Sequence, residues 1–308
     1  MPRLQKTVHG GTLMGFSLVN NLASLDSQSR LSATSVRLNR TLQRLSSGLR
    51  INNSGDDAAG LAIANAFRND IAKLSQGIRN ANDGVSTLQI IDGGLATIST
   101  LLDRAMTLAT QSASDTFIGD RSTLNAELGK VVAEISRQAQ NIGLASADAN
   151  PARAAWSRFA KALTVFIGGG TSANSSNNSV QVDLAGVNVD AAGLSFATYD
   201  SATGDYTVTI DISTQANALT AIQTIRSAVT TLGGVQGKVG AGQNNLAQAI
   251  DLATSQLTNF QAAESRIRDA DVASEASDLS RLTILQQAGV AALAQANQSN
   301  QAVLSLLR

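Results

Sequence analysis

Apolar residues spaced three or four positions apart run without interruption from Ile71 to Leu108, and this run limits the possible folds more than any other feature. A stripe of about five heptads is typical of a long helix that buries one face against partner helices. Glycines within the run each weaken a helix by about 1 kcal/mol relative to Ala, so packing must supply most of its stability. The stripe consists of Ile71, Leu74, Ile78, Ala81, Val85, Leu88, Ile91, Leu95, Ile98, Leu102, Ala105 and Leu108.

Both ends of the chain carry similar stripes. The first repeats at about 3.5 residues, which is the period of a coiled coil rather than of a free helix. The last helix is poor in charge, which favours burial on several sides over a solvated face. We therefore expect the two end helices to pair with each other and to need further partners. Their apolar positions are Leu18, Leu22, Leu25, Leu31, Leu38, Leu42, Leu45 and Leu49, then Val272, Leu279, Leu282, Leu285, Leu293, Val303 and Leu307.

The middle of the chain has a different pattern. A third helix is predicted from about Asp120 to Ile142, followed by a buried strand at 163–167. Alternating residues around 180–184 and 206–212 predict half-buried strands, with a turn at 201–205. Helix should resume near Ala218, pause at the glycine-rich stretch 233–242 and continue to about Arg268. The predicted fold class is mainly α: long coiled-coil-like helices from both chain ends and a small β element in the middle, an α+β rod.

Composition excludes most kinds of site. Aromatic residues are 3% and charged residues 15%, against about 25% charged in ordinary domains, so a thick globular core is not expected. Zero Cys and the lone His9 leave no ligand set for a zinc site and no Ser-His-Asp triad beyond the N-terminus. A formal net charge of zero gives no reason to expect a nucleic acid as partner. No apolar run approaches the roughly 18 residues of a membrane span, so no membrane is expected either.

The remaining motifs favour structure over chemistry. Gly237-Lys238 is followed by Val239, so the phosphate-binding loop pattern fails and no cofactor is expected. Asp56/Asp57 and Asp269/Asp271 stand where helices begin, and capping explains them better than acid–base catalysis. The basic start lacks the apolar stretch of a cleaved signal peptide. Residues 1–13 are irregular: either Met14, which directly precedes the first periodic run, is the natural start, or 1–13 form an unstructured N-terminal extension.

Several long segments resemble the bacterial flagellins. Leu42–Asn65, LQRLSSGLRINNSGDDAAGLAIAN, is similar to the N-terminal signature of that family almost residue for residue. Segments 265–271, 284–289 and 293–297, with the closing VLSLLR, resemble its C-terminal signature. The resemblance covers about 14–145 and 218–308 and leaves out a short middle segment.

The resemblance implies an architecture and a function. Residues 14–56 with 269–308 would form an inner helical domain of a filament, and 57–151 with 216–268 a helical rod. Residues 152–215 would form a small β element, without a large outer domain. The chain would be a structural subunit, not an enzyme, that polymerises into the flagellar filament for swimming. The residues expected to carry assembly are Leu31, Leu38, Leu42, Leu45, Leu279, Leu285, Leu293 and Leu307.

The resemblance also implies partners and a location. The chain would associate with itself, with a flagellar export chaperone that masks the C-terminal helix, and with hook-associated and cap proteins. Type III export would carry it outside the cell without a cleaved signal peptide. A host Toll-like receptor is a further expected partner, with Arg104, Leu108 and Glu127 at the matching contact positions. The alternative function is a hook–filament junction protein with the same helical plan.

Overall fold

Five helices and four short strands make up the part of the chain that the computed structural model describes, residues 21–146, 155–168, 178–200, 203 and 205–306. The helices are α1 (Leu22–Ser47), α2 (Ala58–Ala113), α3 (Arg121–Asn141), α4 (Gln215–Arg268) and α5 (Val272–Leu306). The strands are β1 (Leu163–Phe166), β2 (Ser179–Val182), β3 (Ala197–Asp200) and β4 (Asp205–Val208). The mainly helical fold with a small β element is confirmed. The expected extension 1–13, His9 and Leu18 lie outside the described residues.

The chain divides into two compact units. The terminal unit contains the described residues up to Ala66 and those from Ala262 onward. The central unit extends from Phe67 to Gln261. Long helices α2 and α4 contribute to both units.

The core of the central unit is built on the apolar stripe of α2. From Leu74 to Leu108 its members are buried or half-buried, and they pack with α3, α4 and the β element in one hydrophobic cluster. By length and composition, α2 is the one described helix apolar enough to cross a membrane. The buried stripe contributes to that apolar composition, and 28% of the apolar window is buried within the protein.

Helix α4 continues through the glycine-rich stretch where a pause was predicted, so that prediction was wrong. A β-carbon added at Gly233, Gly234, Gly237 or Gly240 would meet nothing within 4 Å, so these glycines lie on an open face. On the opposite side Val235 and Val239 are buried. Packing of that side outweighs the cost of the glycines.

The β element consists of two antiparallel pairs, β1 with β2 and β3 with β4. The predicted pairing around the 201–205 turn is confirmed by the register of β3 and β4, although Ser201, Ala202 and Gly204 are not described. Strand β1 is not fully buried as expected: Val165 is buried but Phe166 is 47% exposed. The next residue, Ile167, is buried, and its backbone lies so close to Gly77 of α2 that only glycine fits at position 77.

A buried carboxylate joins the β element to the end of α3. Asp190 is fully buried and accepts hydrogen bonds from the Ser146 amide at 2.7 Å and the Tyr206 hydroxyl at 2.8 Å. Burial, together with the charge of Asp190, raises the pKa of Tyr206 above its usual value. The Gly193 amide donates a further bond to Asp190 at 2.8 Å. These donors satisfy a charge whose burial would otherwise be costly.

Candidate assembly surface

Helices α1 and α5 of the terminal unit pack against each other along one seam, called here the α1–α5 seam. On each helix the less exposed positions recur at steps of three or four residues, as in a coiled coil. Hydroxyls, amides and glycine occupy about half of these positions, so the seam buries little apolar surface for its length. Its residues are Ser24, Ser27, Leu31, Thr34, Leu38, Thr41 and Leu45 on α1, and Glu275, Leu279, Leu282, Gln286, Gly289, Leu293 and Ala296 on α5.

Contacts along the seam show that the two helices are antiparallel. The side chain of Asn21 caps α1 by accepting a bond from the Ser24 amide and donates to the Ala296 carbonyl at 3.0 Å. At the other end of α1, Arg44 pairs with Glu275 at 3.2 Å. Early residues of α1 therefore lie beside late residues of α5.

The loops that follow α1 and α4 are tied together by backbone hydrogen bonds. The Arg50 amide donates to the Arg268 carbonyl at 2.6 Å, and the Ala270 amide donates to the Gly48 carbonyl at 2.9 Å. Gly48 ends α1 with a φ of 72°, a left-handed conformation that favours glycine. These bonds fix where α1 ends relative to the start of α5.

Asp56 is an electrostatic centre of this junction rather than the helix cap expected from the sequence. It accepts bonds from the Asn52 and Asn53 amides at 3.3 and 3.2 Å. The Asn53 amide lowers the pKa of Asp56, and the guanidinium groups of Arg44 and Arg40 lower it further. Capping belongs to the neighbouring carboxylate, because Asp57 accepts from the Gly60 amide at 2.9 Å.

Asp269 and Asp271 also differ in role. Asp271 accepts from the Ala273 amide at 3.0 Å and so caps α5, as expected. Asp269 instead accepts a short bond from the Ser265 hydroxyl, and its backbone forms the isolated bridge with Leu49.

Eight large aliphatic side chains of α1 and α5 are exposed outside the seam, and we call this group of residues the outer face. Its members are between 44% and 74% exposed, although each is a large aliphatic side chain. Large aliphatic side chains exposed in this number on two paired helices favour an interaction with another molecule. The outer face consists of Leu22, Leu25, Val36 and Leu42 on α1 and Val272, Ile284, Leu285 and Val290 on α5.

The structure divides the leucines predicted for assembly between these two surfaces. Leu31, Leu38, Leu45, Leu279 and Leu293 are half-buried in the seam. Leu42 and Leu285 are on the outer face, 44% and 50% exposed. Leu307 lies outside the described residues.

The sequence pattern, built from large apolar residues, missed the polar and small members of the seam, and Thr41 and Gly289 are two examples. Thr41 is 7% exposed, and Gly289 lies beneath Leu31. Both continue the three–four spacing of the leucines around them. That spacing would have identified them if polar and small residues had been admitted to the pattern.

The three residues aligned with receptor contacts are in two environments. Arg104 of α2 donates from Nε to the Glu127 carboxylate of α3 at 3.0 Å, and both side chains are partly exposed. Leu108 is 1% exposed and belongs to the core of the central unit. The surface at this position is therefore formed by the ion pair and not by the leucine.

Metal-ligating side chains do not gather anywhere in the described part of the chain: no group of three or more His, Cys, Asp or Glu there could hold an ion. The carboxylates of Asp56 and Asp190, each in a cluster of polar groups, accept hydrogen bonds or pair with arginines within the protein.

Comparison with known proteins covers nearly the whole chain. Residues 19–143 match the bacterial flagellin N-terminal helical region, and residues 222–307 match the bacterial flagellin C-terminal helical region. A flagellin of Halalkalibacterium halodurans is 34% identical over 290 residues, which covers 94% of this chain and 98% of that protein. The flagellar filament 33 kDa core protein of Treponema phagedenis is 34% identical over 297 residues, with 94% and 99% covered. A flagellin of Bacillus subtilis is 33% identical over 309 residues, again with 94% and 99% covered.

Proposed function

The chain belongs to the bacterial flagellin family and is a structural subunit that polymerises into the flagellar filament, and on this premise we propose that the outer face holds the polymer together. The main observation that supports this proposal is the exposure of the outer-face side chains. Among the described residues, eight large aliphatic side chains on the paired helices α1 and α5 are between 44% and 74% exposed. Completing the burial of one such side chain in a neighbouring subunit is worth roughly 0.7–2 kcal/mol.

The α1–α5 seam has a different part in this proposal. It closes the two chain ends against each other and so fixes the positions of the outer-face residues. Since the seam is rich in Ser, Thr, Gln and Gly, pairing of α1 with α5 gains little on its own. Assembly would supply the additional burial that stabilises the pair.

The domain boundaries remain part of the proposal. We propose that residues 14–56 with 269–308 form the inner domain, and that 57–151 with 216–268 form the rod. The two compact units support this division, although they meet at Ala66 and Ala262, about ten residues further into the helices. The β element 152–215 belongs to the central unit, since Asp190 and Ile212 bond to residues around α2 and α3.

Cysteine labelling can test the role of the outer face, because the chain has no Cys of its own. Leu285→Cys places a thiol on the outer face and Leu282→Cys places one in the seam three residues away. We expect the thiol at 285 to react with a maleimide in the monomer and to be protected in the polymer. The thiol at 282 should react slowly in both states, because Leu282 is 7% exposed. Equal reactivity of residue 285 in monomer and polymer would refute the proposal.

Two further partners are proposed for the same helices. An export chaperone would cover α5 before assembly, because Ile284, Leu285 and Val290 are exposed in the unassembled chain. Hook-associated and cap proteins would meet the same surfaces at the two filament ends. Competition between the chaperone and polymerisation, measured as a chaperone-dependent delay in filament growth, tests the proposed chaperone contact.

The proposed location is outside the cell, after export without a cleaved signal peptide. The mass of the protein in isolated filaments tests whether a signal peptide has been removed.

Recognition by a Toll-like receptor is proposed through Arg104 and Glu127, which form an exposed ion pair. Because Leu108 is buried, its truncation would act on the core and not on receptor contact. Receptor activation by Arg104→Ala, compared with the wild-type monomer, tests the proposal. An unchanged response would show that Arg104 does not contribute to receptor recognition.

A hook–filament junction protein is the less favoured function. The matched relatives are named as flagellins and as a filament core protein. Growth of long filaments from the purified protein alone would distinguish a filament subunit from a junction protein, which we expect to form none.

A further inference from the structure

The loop between α2 and α3 presents a large aliphatic side chain directly to solvent. Ile118 is 100% exposed, the highest value among the large hydrophobic residues that the structure describes. Ile118 belongs to the central unit, whereas the α1–α5 seam and the outer face belong to the terminal unit. Single exposed apolar residues are common on proteins, so exposure alone does not indicate a contact site. The residues around Ile118 must supply that indication.

The loop around Ile118 is held in place by its neighbours. Arg121 donates from Nε to the Ser112 carbonyl at 3.0 Å and from Nη2 to the Ser114 carbonyl at 3.1 Å. The same guanidinium lies 5.7 Å from the centre of the Phe117 ring. Asp120 caps α3 by accepting from the Ser122 amide at 2.8 Å. A loop fixed in this way presents Ile118 at little further entropic cost on binding.

An open groove of about 390 Å³ lies elsewhere on the central unit, beside α4. Val187 and Val235 supply apolar side chains to it, and Lys238 lines it as well. Around Gly186 and Gly234 the groove is bare, because a β-carbon added at either would meet nothing within 4 Å. The groove is lined by Gly186, Val187, Asn188, Gly193, Thr231, Gly234, Val235 and Lys238.

Ile118 does not reach the groove of its own chain. The start of α4 lies at the end of α2, where the Gln215 side chain donates to the Ala113 carbonyl at 3.2 Å. From Gln215 to Gly234 the helix rises about 28 Å. The loop and the groove therefore occupy separate positions along the central unit.

We propose that Ile118 of one subunit inserts into this groove of another copy of the chain. Charge favours the match, since Asp115 and Asp120 flank Ile118 while Lys238 lines the groove. A contact of one loop with its own copy would instead bring these carboxylates together. A contact between two different surfaces leaves one copy of each surface free at the ends of the pair. Further subunits can therefore add by the same contact, which gives an open polymer rather than a closed dimer.

This contact rests on the established polymerisation of the chain but is independent of the outer face. Two single-cysteine variants, Ile118→Cys and Thr231→Cys, test it in mixed filaments. Mild oxidation should give disulfide-linked dimers only when both variants are present, because each filament of one variant lacks the second thiol. Filaments that form without a 118–231 dimer would overturn the contact while leaving the proposed role of the outer face intact. Dimers in filaments of Ile118→Cys alone would overturn it as well, since they would show a loop-to-loop contact.

Polymerisation of Ile118→Asp measures the strength of the contact. The loop is exposed, so monomer helicity by circular dichroism should equal that of the wild type. The critical concentration should rise at least tenfold, equivalent to about 1.4 kcal/mol per subunit. Ile118→Val keeps an aliphatic side chain and should polymerise within about twofold of the wild type. An Ile118→Asp variant with an unchanged critical concentration would overturn the proposal.

Discussion

Leu31 of α1 packs directly over Gly289 of α5: its Cβ lies 3.8 Å, and its Cδ1 3.2 Å, from the point where a β-carbon at residue 289 would stand. The absence of a side chain at 289 lets the two helices approach closely near the middle of the seam. A separation of about 3.8 Å between β-carbons is also the mean value for a disulfide.

We therefore predict that the Leu31→Cys/Gly289→Cys variant forms an intramolecular disulfide under mild oxidation. The chain has no other Cys, so one change in mobility on a non-reducing gel reports the bond. A Leu42→Cys/Gly289→Cys control should not form it, because Leu42 lies 11 residues, or about 16 Å, further along α1 than Leu31. Since the bond leaves the outer face free, the oxidised protein should still polymerise. Loss of polymerisation on oxidation alone would show that α1 and α5 must separate during assembly.

Glycines within α2 should respond in opposite ways to replacement by Ala. A β-carbon at Gly77 would lie 1.9 Å from the Ile167 carbonyl oxygen, so the backbone around β1 must shift. We expect Gly77→Ala to destabilise the central unit by about 1–3 kcal/mol. Gly93→Ala is the matched control: nothing lies within 4 Å of its β-carbon, and Ala favours helix by up to about 1 kcal/mol. Thermal unfolding followed by circular dichroism should give a lower Tm for the first variant and an equal or higher Tm for the second.

Asp56 makes the terminal unit sensitive to acid. The Asn53 amide and two arginines hold its pKa below its ordinary value of 3.8. A carboxyl with a lowered pKa in the folded state stabilises that state above the unfolded pKa, and this contribution is lost as the pH falls through the folded pKa. The difference in Tm between the wild type and Asp56→Asn should therefore be largest near pH 6 and shrink below about pH 4. Asp251→Asn, in the central unit, controls for removal of a carboxylate; a constant difference for Asp56→Asn would contradict the assignment.

Much of this fold could be predicted because helix periodicity is local information. The stripe from Ile71 to Leu108 identified α2 and its buried face, and Asp120 marked the start of α3. Local information predicted a break in the helix at 233–242, because glycine disfavours helix. The helix continues because Val235 and Val239 are packed in the core, and that packing is not visible in the local sequence. Thr41 and Gly289 were missed for a related reason: their value depends on how closely the opposite helix approaches.

The division of leucines between seam and outer face could not be predicted from spacing alone. Leu42 and Leu45 both continue a stripe of leucines, yet Leu45 is half-buried and Leu42 is exposed. A stripe near 3.5 residues per repeat defines a side of a helix, but not how much of that side one partner covers. A chain that polymerises needs apolar residues for contacts within the chain and others for contacts with neighbouring subunits. The spacing of the leucines does not distinguish these two groups.

The critical concentration for filament growth of an Ile284→Ser/Leu285→Ser variant tests the central claim most directly. Both side chains are on the outer face, 65% and 50% exposed, so the monomer should keep wild-type helicity and Tm. Because each side chain is already partly covered in the monomer, its complete burial in the polymer would gain roughly 0.8–2 kcal/mol. We expect a rise of at least about tenfold in critical concentration, or no filaments at accessible concentrations. Leu219→Ser/Val229→Ser, a matched pair of exposed aliphatics on α4, should have a smaller effect. Filament growth by the outer-face variant at the wild-type concentration would contradict the claim that this face holds the polymer together.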